Sequence, residues 1–246
     1  MSPVIAVFGA GTGLGASMAH RFGREGFDVA LVGRRPDKLE TLRNELDGAG
    51  IRAEVFVADL AEPSSMKGLV NEIEERLGAV DVVEYGPVSA DLSFTPAKDL
   101  DAAALSALVP LFLLSPVEIV AAVLPGMLAR GHGSILLTQG SFAVTPVPFA
   151  SGPGPVMAAT RNYVHSLAGE LDGTGVHAGL LAIGASIDRS EMSELARAAG
   201  DDSGGGRGTV DPDDLAELYW GMHVRHDVVE IVRPEPQPAT AKEARS

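Results

Sequence analysis

The chain alternates short apolar runs with longer segments in which apolar residues recur at helical spacing. Short apolar runs bounded by glycine or polar residues are typical of strands buried in a parallel sheet, and a 3.6-residue period is typical of helices that cover such a sheet. The runs predict strands over residues 3–8, 27–32, 51–57, 80–85, 134–138, 176–182 and 228–232. The intervening spacing predicts helices over residues 13–25, 36–46, 63–77 and 155–172, a long or broken helix over 98–129, and a helix that begins at Asp211-Pro212.

Strands that alternate with helices predict an α/β fold, namely a doubly wound parallel sheet of about seven strands with helices on both faces. Residues 1–233 are expected to form a single domain. Residues 200–209 are rich in glycine and charge, and residues 234–246 are rich in proline and polar side chains. We therefore expect a mobile segment at the first of these and a disordered tail at the second.

The charge balance of the chain argues against some classes of partner. The 246 residues include 19 Lys and Arg against 33 Asp and Glu, which gives a net charge of −14. Nucleic-acid binding needs a basic surface, and no basic run longer than Arg34-Arg35 occurs. No nucleic-acid partner is therefore expected, and the acidic excess also disfavours an anionic membrane.

Signals for a membrane, a secretory route or a metal are also weak in the sequence. The most apolar stretch, residues 104–125, is interrupted by Pro110, Pro116 and Glu118, so it predicts a buried helix and no membrane span. No secretory leader is predicted, so a cytoplasmic location is expected. The chain has no cysteine, and its six histidines show no metal-ligand spacing, so no metal site is expected.

A glycine-rich loop follows the first predicted strand and opens the first predicted helix. Gly9, Gly13 and Gly15 let the backbone turn sharply and approach a diphosphate closely, and the helix N-terminus supplies free N–H groups. Thr12 and Leu14 are expected to line the same loop. In this strand–loop–helix context, the pattern favours dinucleotide binding over a glycine-rich turn without a ligand.

The end of the second predicted strand, Gly33-Arg34-Arg35, bears on the choice of nucleotide. An acidic residue there would accept hydrogen bonds from a ribose 2′-hydroxyl, whereas arginines can pair with a 2′-phosphate. Thr12 is uncharged and would not repel a phosphate. The sequence therefore favours NADP(H) over NAD(H), with two solvated arginines as the alternative.

The G-x-x-x-G-x-G spacing of the loop resembles that of the short-chain dehydrogenase/reductase superfamily. The third predicted strand ends Asp59-Leu60, and the helix near residues 160–171 ends Leu-Ala-x-Glu-Leu, as in that family. The resemblance covers about residues 1–232. It implies a Rossmann fold whose loop glycines wrap the diphosphate, with Asp59 beside the adenine and Leu60 next to it.

The same resemblance implies further roles along the chain. The backbone of Gly86 is expected to run beside the ribose of the nucleotide, with Tyr85 packed near it. Gly184 would keep a turn after the sixth strand, and the segment from Ala185 to Ile187 would face the nicotinamide. Residues 185–209 correspond to the substrate lid of the family. The helices at 98–129 and 155–172 correspond to its dimer surface, so a homodimer or homotetramer acting on a small molecule is implied.

The resemblance fails at the proton-relay residues of the family. Aligned on Leu167–Leu171, the family's tyrosine falls on Pro153 and its lysine on Met157, and no Tyr-x-x-x-Lys occurs anywhere in the chain. The family's serine falls on Gly140. In the family, a tyrosine held near a cation donates the proton, so the usual acid is absent here. Ser141 and Tyr85 remain as candidate catalytic residues.

Three interpretations stay open. An atypical NADP(H)-dependent reductase or dehydrogenase could move the proton through Ser141, Tyr85, Gln139 or water, on a carbonyl, enone or imine substrate. The pocket could instead catalyse a non-redox step, or the chain could bind nucleotide without turnover as a regulator or partner subunit. The first is favoured because nicotinamide itself carries the hydride chemistry.

Two other features concern the surroundings of this site. Phe142, Val144, Phe149 and Met157 predict an apolar substrate pocket, which favours an aromatic or polyketide-like small molecule. Glu84 lies in a strand that is expected to be central. A lone buried carboxylate is costly, so Glu84 must find a partner or reach water.

Overall fold

The computed structural model describes residues 2–88, 94–149, 151–198, 200 and 208–235. Within these residues, strands β1 to β9 span Val4–Phe8, Asp28–Gly33, Ala53–Val57, Val80–Tyr85, Gly133–Gly140, Val176–Ile183, Ser186–Ile187, Thr209–Val210 and Glu230–Arg233. Helices α1 to α8 span Leu14–Gly23, Pro36–Gly48, Met66–Leu77, Ala102–Val109, Ser115–Arg130, Pro153–Glu170, Glu191–Ala198 and Pro212–Arg225.

Seven of the strands form one parallel sheet in the order β3-β2-β1-β4-β5-β6-β9. One face packs its apolar side chains against α3, α5 and α6, and the other against α1, α2 and α8. The predicted doubly wound α/β fold is therefore confirmed. The strand order reverses between β1 and β4, and ligands of such sheets bind in the crevice at that point.

The long or broken helix predicted over residues 98–129 is broken in the structure. It divides into α4 and α5, which are joined by one π-helical turn at Pro110–Leu114. Pro110 has no N–H to donate, which disturbs the regular i to i−4 bonding at this point. Strand β5 also runs two residues beyond its predicted end, because its pairing with β6 continues to Gly140 and Ile183.

The stretch Ala102–Arg130 is long and apolar enough to cross a membrane by length and composition alone. Core helices of soluble proteins meet the same criterion. Its second part, α5, packs on α3 and on the sheet through Ile119, Val120 and Val123. In the most apolar 18 residues of the stretch Ala102–Arg130, however, only 33% are buried, so the helix that was expected to be buried is partly exposed.

Two sequence predictions lie largely outside the described residues. The glycine-rich segment predicted to be mobile includes residues 201–207, and the tail predicted to be disordered includes residues 236–246, none of which the structure describes. The flanks are described: Thr209 and Val210 form β8, which pairs with β7 beside the main sheet. The division into one domain and a tail stays a prediction.

Candidate nucleotide and active site

The glycine-rich loop lies at the reversal point of the sheet, between the end of β1 and the start of α1. Gly9 has a φ of +102°, and a Cβ built on it would lie 2.7 Å from the Cα of Pro87, in the segment after β4. Gly13 has a φ of +71°. Both positions need glycine, because L side chains rarely adopt such backbone angles and no side chain fits at Gly9. This loop is therefore built for close backbone contacts.

The other residues predicted to contact a nucleotide lie along the same carboxyl edge of the sheet. They follow the ends of strands β2, β3, β4 and β6 or lie in the glycine loop. Two of them are tied to neighbouring strands: the main-chain N–H of Gly86 donates to the carbonyl of Phe8 at 3.0 Å, and that of Gly184 donates to the carbonyl of Arg233 at 2.7 Å. The residues along this edge are Leu14, Gly15, Gly33, Arg34, Asp59, Leu60, Gly86, Gly184 and Ile187. The fold thus brings the predicted set to one edge.

Individual members of this set differ in what they can offer a ligand. Arg34 and Asp59 are exposed, whereas Leu60 is buried. One carboxylate oxygen of Asp59 accepts a hydrogen bond from the main-chain N–H of Ala61 at 3.0 Å, which fixes the turn after β3. Ile187 belongs to β7 and pairs with Val210, so it is held at the start of the predicted lid.

The start of α7 covers the glycine loop. A Cβ built on Gly13 would lie 2.9 Å from the Cβ of Ser190. The main-chain N–H of Glu191 donates to the hydroxyl of Thr12 at 2.9 Å. Its carboxylate accepts two hydrogen bonds from the guanidinium of Arg35, one of them 2.7 Å long. The start of α7 therefore lies directly against the glycine loop and the end of β2.

The Arg35–Glu191 pair is a feature that the sequence analysis missed. The Arg35 side chain is 55% exposed and at the same time paired with Glu191, so both interpretations of the arginines stay open. The two residues are 156 positions apart, so no local pattern indicates their contact. The hydrogen bonds from Arg35 lower the pKa of Glu191, which keeps this carboxylate ionised at neutral pH.

Pro153, Met157 and Gly140 are the positions that the sequence alignment assigns to the family's proton relay. Pro153 is the first residue of α6, and Met157 is buried one turn later. A Cβ built on Gly140 would lie 2.1 Å from the ring of Phe142, so that ring occupies the space of any side chain at position 140. The surroundings of these three positions are therefore apolar and closely packed.

The two candidate catalytic residues lie in different surroundings. Ser141 follows β5, and its hydroxyl lies against the Gly184 backbone, since a Cβ on Gly184 would come within 2.5 Å of the oxygen. Tyr85 is buried, and its hydroxyl donates to the carbonyl of Leu111 at 2.5 Å. Burial also raises the pKa of Tyr85 well above its usual value. This geometry favours Tyr85 as an anchor of the irregular turn at Pro110–Leu114 and disfavours it as a proton donor.

A small cavity of about 10 Å³ lies beside Met157. Such a volume has room for about one water molecule. Gln139 lines the cavity together with Tyr85, Thr160 and Met157. Its side chain is 6% exposed, and among the described residues neither its amide nitrogen nor its oxygen has a hydrogen-bond partner. Gln139 therefore presents a buried polar group that is ready to bond a small polar ligand or a water.

Glu84 is indeed in a central strand and does find partners. The Thr138 hydroxyl donates to it at 2.8 Å and lies 2.6 Å from the hydroxyl of Tyr219. Burial raises the pKa of Glu84 to about 8, against the smaller lowering effect of the Thr138 hydrogen bond. At neutral pH the side chain is therefore mostly protonated and acts as a neutral member of this group.

The predicted apolar pocket is only partly closed. Met157 is buried and Phe142 is half-buried, but Phe149 is 74% exposed. Phe149 therefore does not line an enclosed cavity in this structure. Among the residues that the structure describes, no group of three His, Cys, Asp or Glu residues could hold a metal ion.

Comparison with known proteins identifies relatives in sequence. A family profile described as short chain dehydrogenase matches residues 3–199. Sulfoacetaldehyde reductase 2 of Chromohalobacter salexigens is 28% identical over 244 residues, which cover 97% of this chain and 95% of that protein. A short chain dehydrogenase of Pseudocercospora fijiensis is 29% identical over 170 residues, which cover 69% of this chain and only 55% of that protein.

Solved structures show the same fold at lower identity. A single-residue variant of actinorhodin polyketide ketoreductase, in complex with NADPH, superposes with a TM-score of 0.81 at 22% identity and covers 94% of this chain and 95% of its own. A short chain oxidoreductase of Pseudomonas aeruginosa PAO1, described as containing an atypical catalytic center, gives a TM-score of 0.78 at 19% identity, with 96% and 98% covered. With the family profile matching most of its length, this chain belongs to the short chain dehydrogenase family of oxidoreductases.

Proposed function

We propose that the protein is an atypical NADP(H)-dependent reductase or dehydrogenase that acts on a small apolar carbonyl, enone or imine. The observation that carries this proposal is the glycine loop at the reversal point of the sheet. There the positive φ angles of Gly9 and Gly13, together with the close approach of Pro87, form a tight turn that leads from β1 into the N-terminus of α1. Such a turn suits a dinucleotide diphosphate.

Support for the phosphorylated nucleotide comes from the end of β2. Arg34 is exposed there, Arg35 is adjacent, and neither Gly33 nor its neighbours supply a carboxylate from the strand itself. An arginine pair can bind a 2′-phosphate by charge-assisted hydrogen bonds. The NADPH complex of the polyketide ketoreductase with this fold is consistent with that choice.

The proposed chemistry relies on binding and polarisation in place of a proton relay. Bound nicotinamide supplies the hydride. Met157 and Phe142 place apolar side chains at the positions where the family's lysine and serine would act. The amide N–H of Gln139 can donate a hydrogen bond to a water in the adjoining cavity, and Ser141 or that water delivers the proton. A neutral donor polarises less than an acid, so activated substrates are favoured.

The first experiment is a nucleotide titration followed by a substrate screen. Purified protein is titrated with NADPH and with NADH by calorimetry, and activated ketones, enones and imines are then tested for loss of absorbance of the reduced nucleotide. Binding of NADPH with turnover of a member of the screen supports the proposal. Failure of both nucleotides to bind would overturn it.

A second candidate function is nucleotide binding without turnover, as a regulator or partner subunit. It is favoured by one observation, that three relay positions hold Pro153, Met157 and a Gly140 covered by Phe142. Tight NADPH binding with no turnover across the screen would support it. A variant that restores the relay residues carries Pro153→Tyr, Met157→Lys and Gly140→Ser, with Phe142→Ala to make room for the serine. Its turnover in the same screen is a further measurement.

A further inference from the structure

The carboxylate of Glu191 accepts two hydrogen bonds from the guanidinium of Arg35, a residue of the proposed 2′-phosphate site. We infer that Glu191 is a specificity-determining residue: it occupies Arg35 and so weakens the preference for a 2′-phosphate over a 2′-hydroxyl that the arginine pair would otherwise confer. This inference rests on the proposed nucleotide site. It concerns the class of nucleotide and not the reaction.

The position of Glu191 is fixed by contacts on several sides. Its own main-chain N–H is bound to Thr12 in the glycine loop. Just before it, Arg189 pairs with Asp211 at 2.5 Å and Asp213 at 2.9 Å at the start of α8. Asp213 in turn accepts a hydrogen bond of 2.6 Å from Ser17 in α1. These contacts hold the main chain at Glu191 beside the end of β2, within reach of Arg35.

The charges around Arg35 determine the direction of the effect. The guanidinium already donates two hydrogen bonds to Glu191, and Asp37 lies close enough to act on it electrostatically. A 2′-phosphate must break the Glu191 bonds and is repelled by the carboxylate while that remains nearby. A ribose 2′-hydroxyl bears no charge and can donate a hydrogen bond to a carboxylate. Removing the charge at position 191 should therefore favour the phosphorylated nucleotide selectively.

The test compares nucleotide pairs that differ only at the 2′ position. Dissociation constants for NADPH and NADH, and for adenosine 2′,5′-bisphosphate and 5′-AMP, are measured by calorimetry on wild type and on Glu191→Gln. The matched control is Glu194→Gln, which makes the same charge change on an exposed position of α7. Since Arg35 and Glu191 are partly exposed, the gain expected for the 2′-phosphorylated member is about 3- to 10-fold, with little change for its partner.

Each outcome either supports or overturns the inference. A selective gain in Glu191→Gln that is absent in Glu194→Gln, and that disappears in an Arg35→Ala background, supports it. An equal gain for both members of a pair means that Glu191 only holds α7 over the loop, which overturns the specificity role. Wild type that binds NADPH with no change in Glu191→Gln also overturns it, while the proposed function stands. If no variant binds any of the nucleotides, the proposed function fails as well.

Discussion

At the scale of single residues, the site contains polar side chains that are buried among apolar ones. Glu84 is 2% exposed in a central strand, and Gln139 is 6% exposed beside a small cavity. Burial disfavours the charged form of an acid, and it leaves an amide without water unless a ligand or a bound water reaches it. Both side chains therefore affect stability in ways that can be measured without a known substrate.

Glu84 should make the stability of the protein depend on pH. Its pKa is raised to about 8 in the folded state, from an ordinary value near 4.5. Below pH 4.5 both states hold the proton. As the pH rises from 4.5 to 8 the unfolded state releases the proton first, so the folded state is progressively destabilised. At pH 8.5, Glu84→Gln should be more stable than wild type by a few kcal/mol, since each pKa unit is worth about 1.4 kcal/mol.

That prediction is checked by denaturant unfolding at pH 5 and pH 8.5. The advantage of Glu84→Gln should shrink at the lower pH, because the unfolded wild type then gains little free energy by releasing the proton. Glu75→Gln, a change on an exposed part of α3, is the control and should show no such pH-dependent difference. An advantage that does not change with pH would mean that Glu84 is ionised in the folded protein.

Gln139 should reveal its role through a gain in stability on substitution. Gln139→Met keeps the length of the side chain and removes two buried polar atoms that lack partners among the described residues. An unsatisfied buried group costs about 1–3 kcal/mol, so the free energy of unfolding should rise by about 1 kcal/mol in this variant. Turnover of any substrate found in the screen should fall. A loss of stability would show that the amide is already satisfied, for example by a water in the cavity.

At the scale of elements, the alternation of strands and helices could be predicted from the sequence, because the elements of the main sheet and its covering helices are long enough to show a periodic pattern of apolar residues. The pair β7 and β8 was not predicted, because two-residue strands such as Ser186–Ile187 show no periodicity. The break between α4 and α5 could be suspected from Pro110, but the π-helical turn depends on the carbonyls of Leu111 and Phe112, which Tyr85 and Thr160 bind across the fold. The contact of Glu191 with Arg35 is hidden from local sequence for the same reason.

The glycine loop provides an element-scale prediction that separates backbone angle from steric contact. Gly9→Ala places a Cβ 2.7 Å from the backbone of Pro87, at a φ of +102°. Gly26 has a similar φ of +89° and nothing within 4 Å, so Gly26→Ala is a matched control. An unfavourable φ alone costs about 1–3 kcal/mol. Gly9→Ala should destabilise the protein by about 2 kcal/mol more than the control.

Nucleotide affinity gives a second measurement on the same pair. Gly9→Ala should also lose NADPH binding, because the contact with Pro87 can be relieved only by moving the loop that would hold the diphosphate. Gly26→Ala should bind as wild type does, since it lies at the far end of α1. Equal stability of the two variants, measured by denaturant unfolding, would show that the loop after β4 yields easily to the added methyl group.

At the scale of the whole molecule, the helical stretch Ala102–Arg130 leaves apolar surface on the outside. Leu114 and Leu128 are 44% and 43% exposed, although the stretch is strongly apolar. The family resemblance places the dimer surface here, and a stable interface needs about 800 Å² from each partner. Together these observations favour a homodimer or homotetramer over a monomer that exposes this face to water.

The oligomer prediction is tested by changing this face without touching the sheet. Wild type should sediment at a multiple of the 25.4-kDa monomer mass, and Leu114→Lys with Leu128→Lys should shift it toward the monomer, because two buried charges would oppose association. Val224→Lys, at an apolar position that is 60% exposed on α8, is the control and should leave the mass unchanged. A wild-type monomer at micromolar concentration would refute the prediction. If that monomer floated with neutral lipid vesicles, the apolar face would instead be a membrane-binding surface.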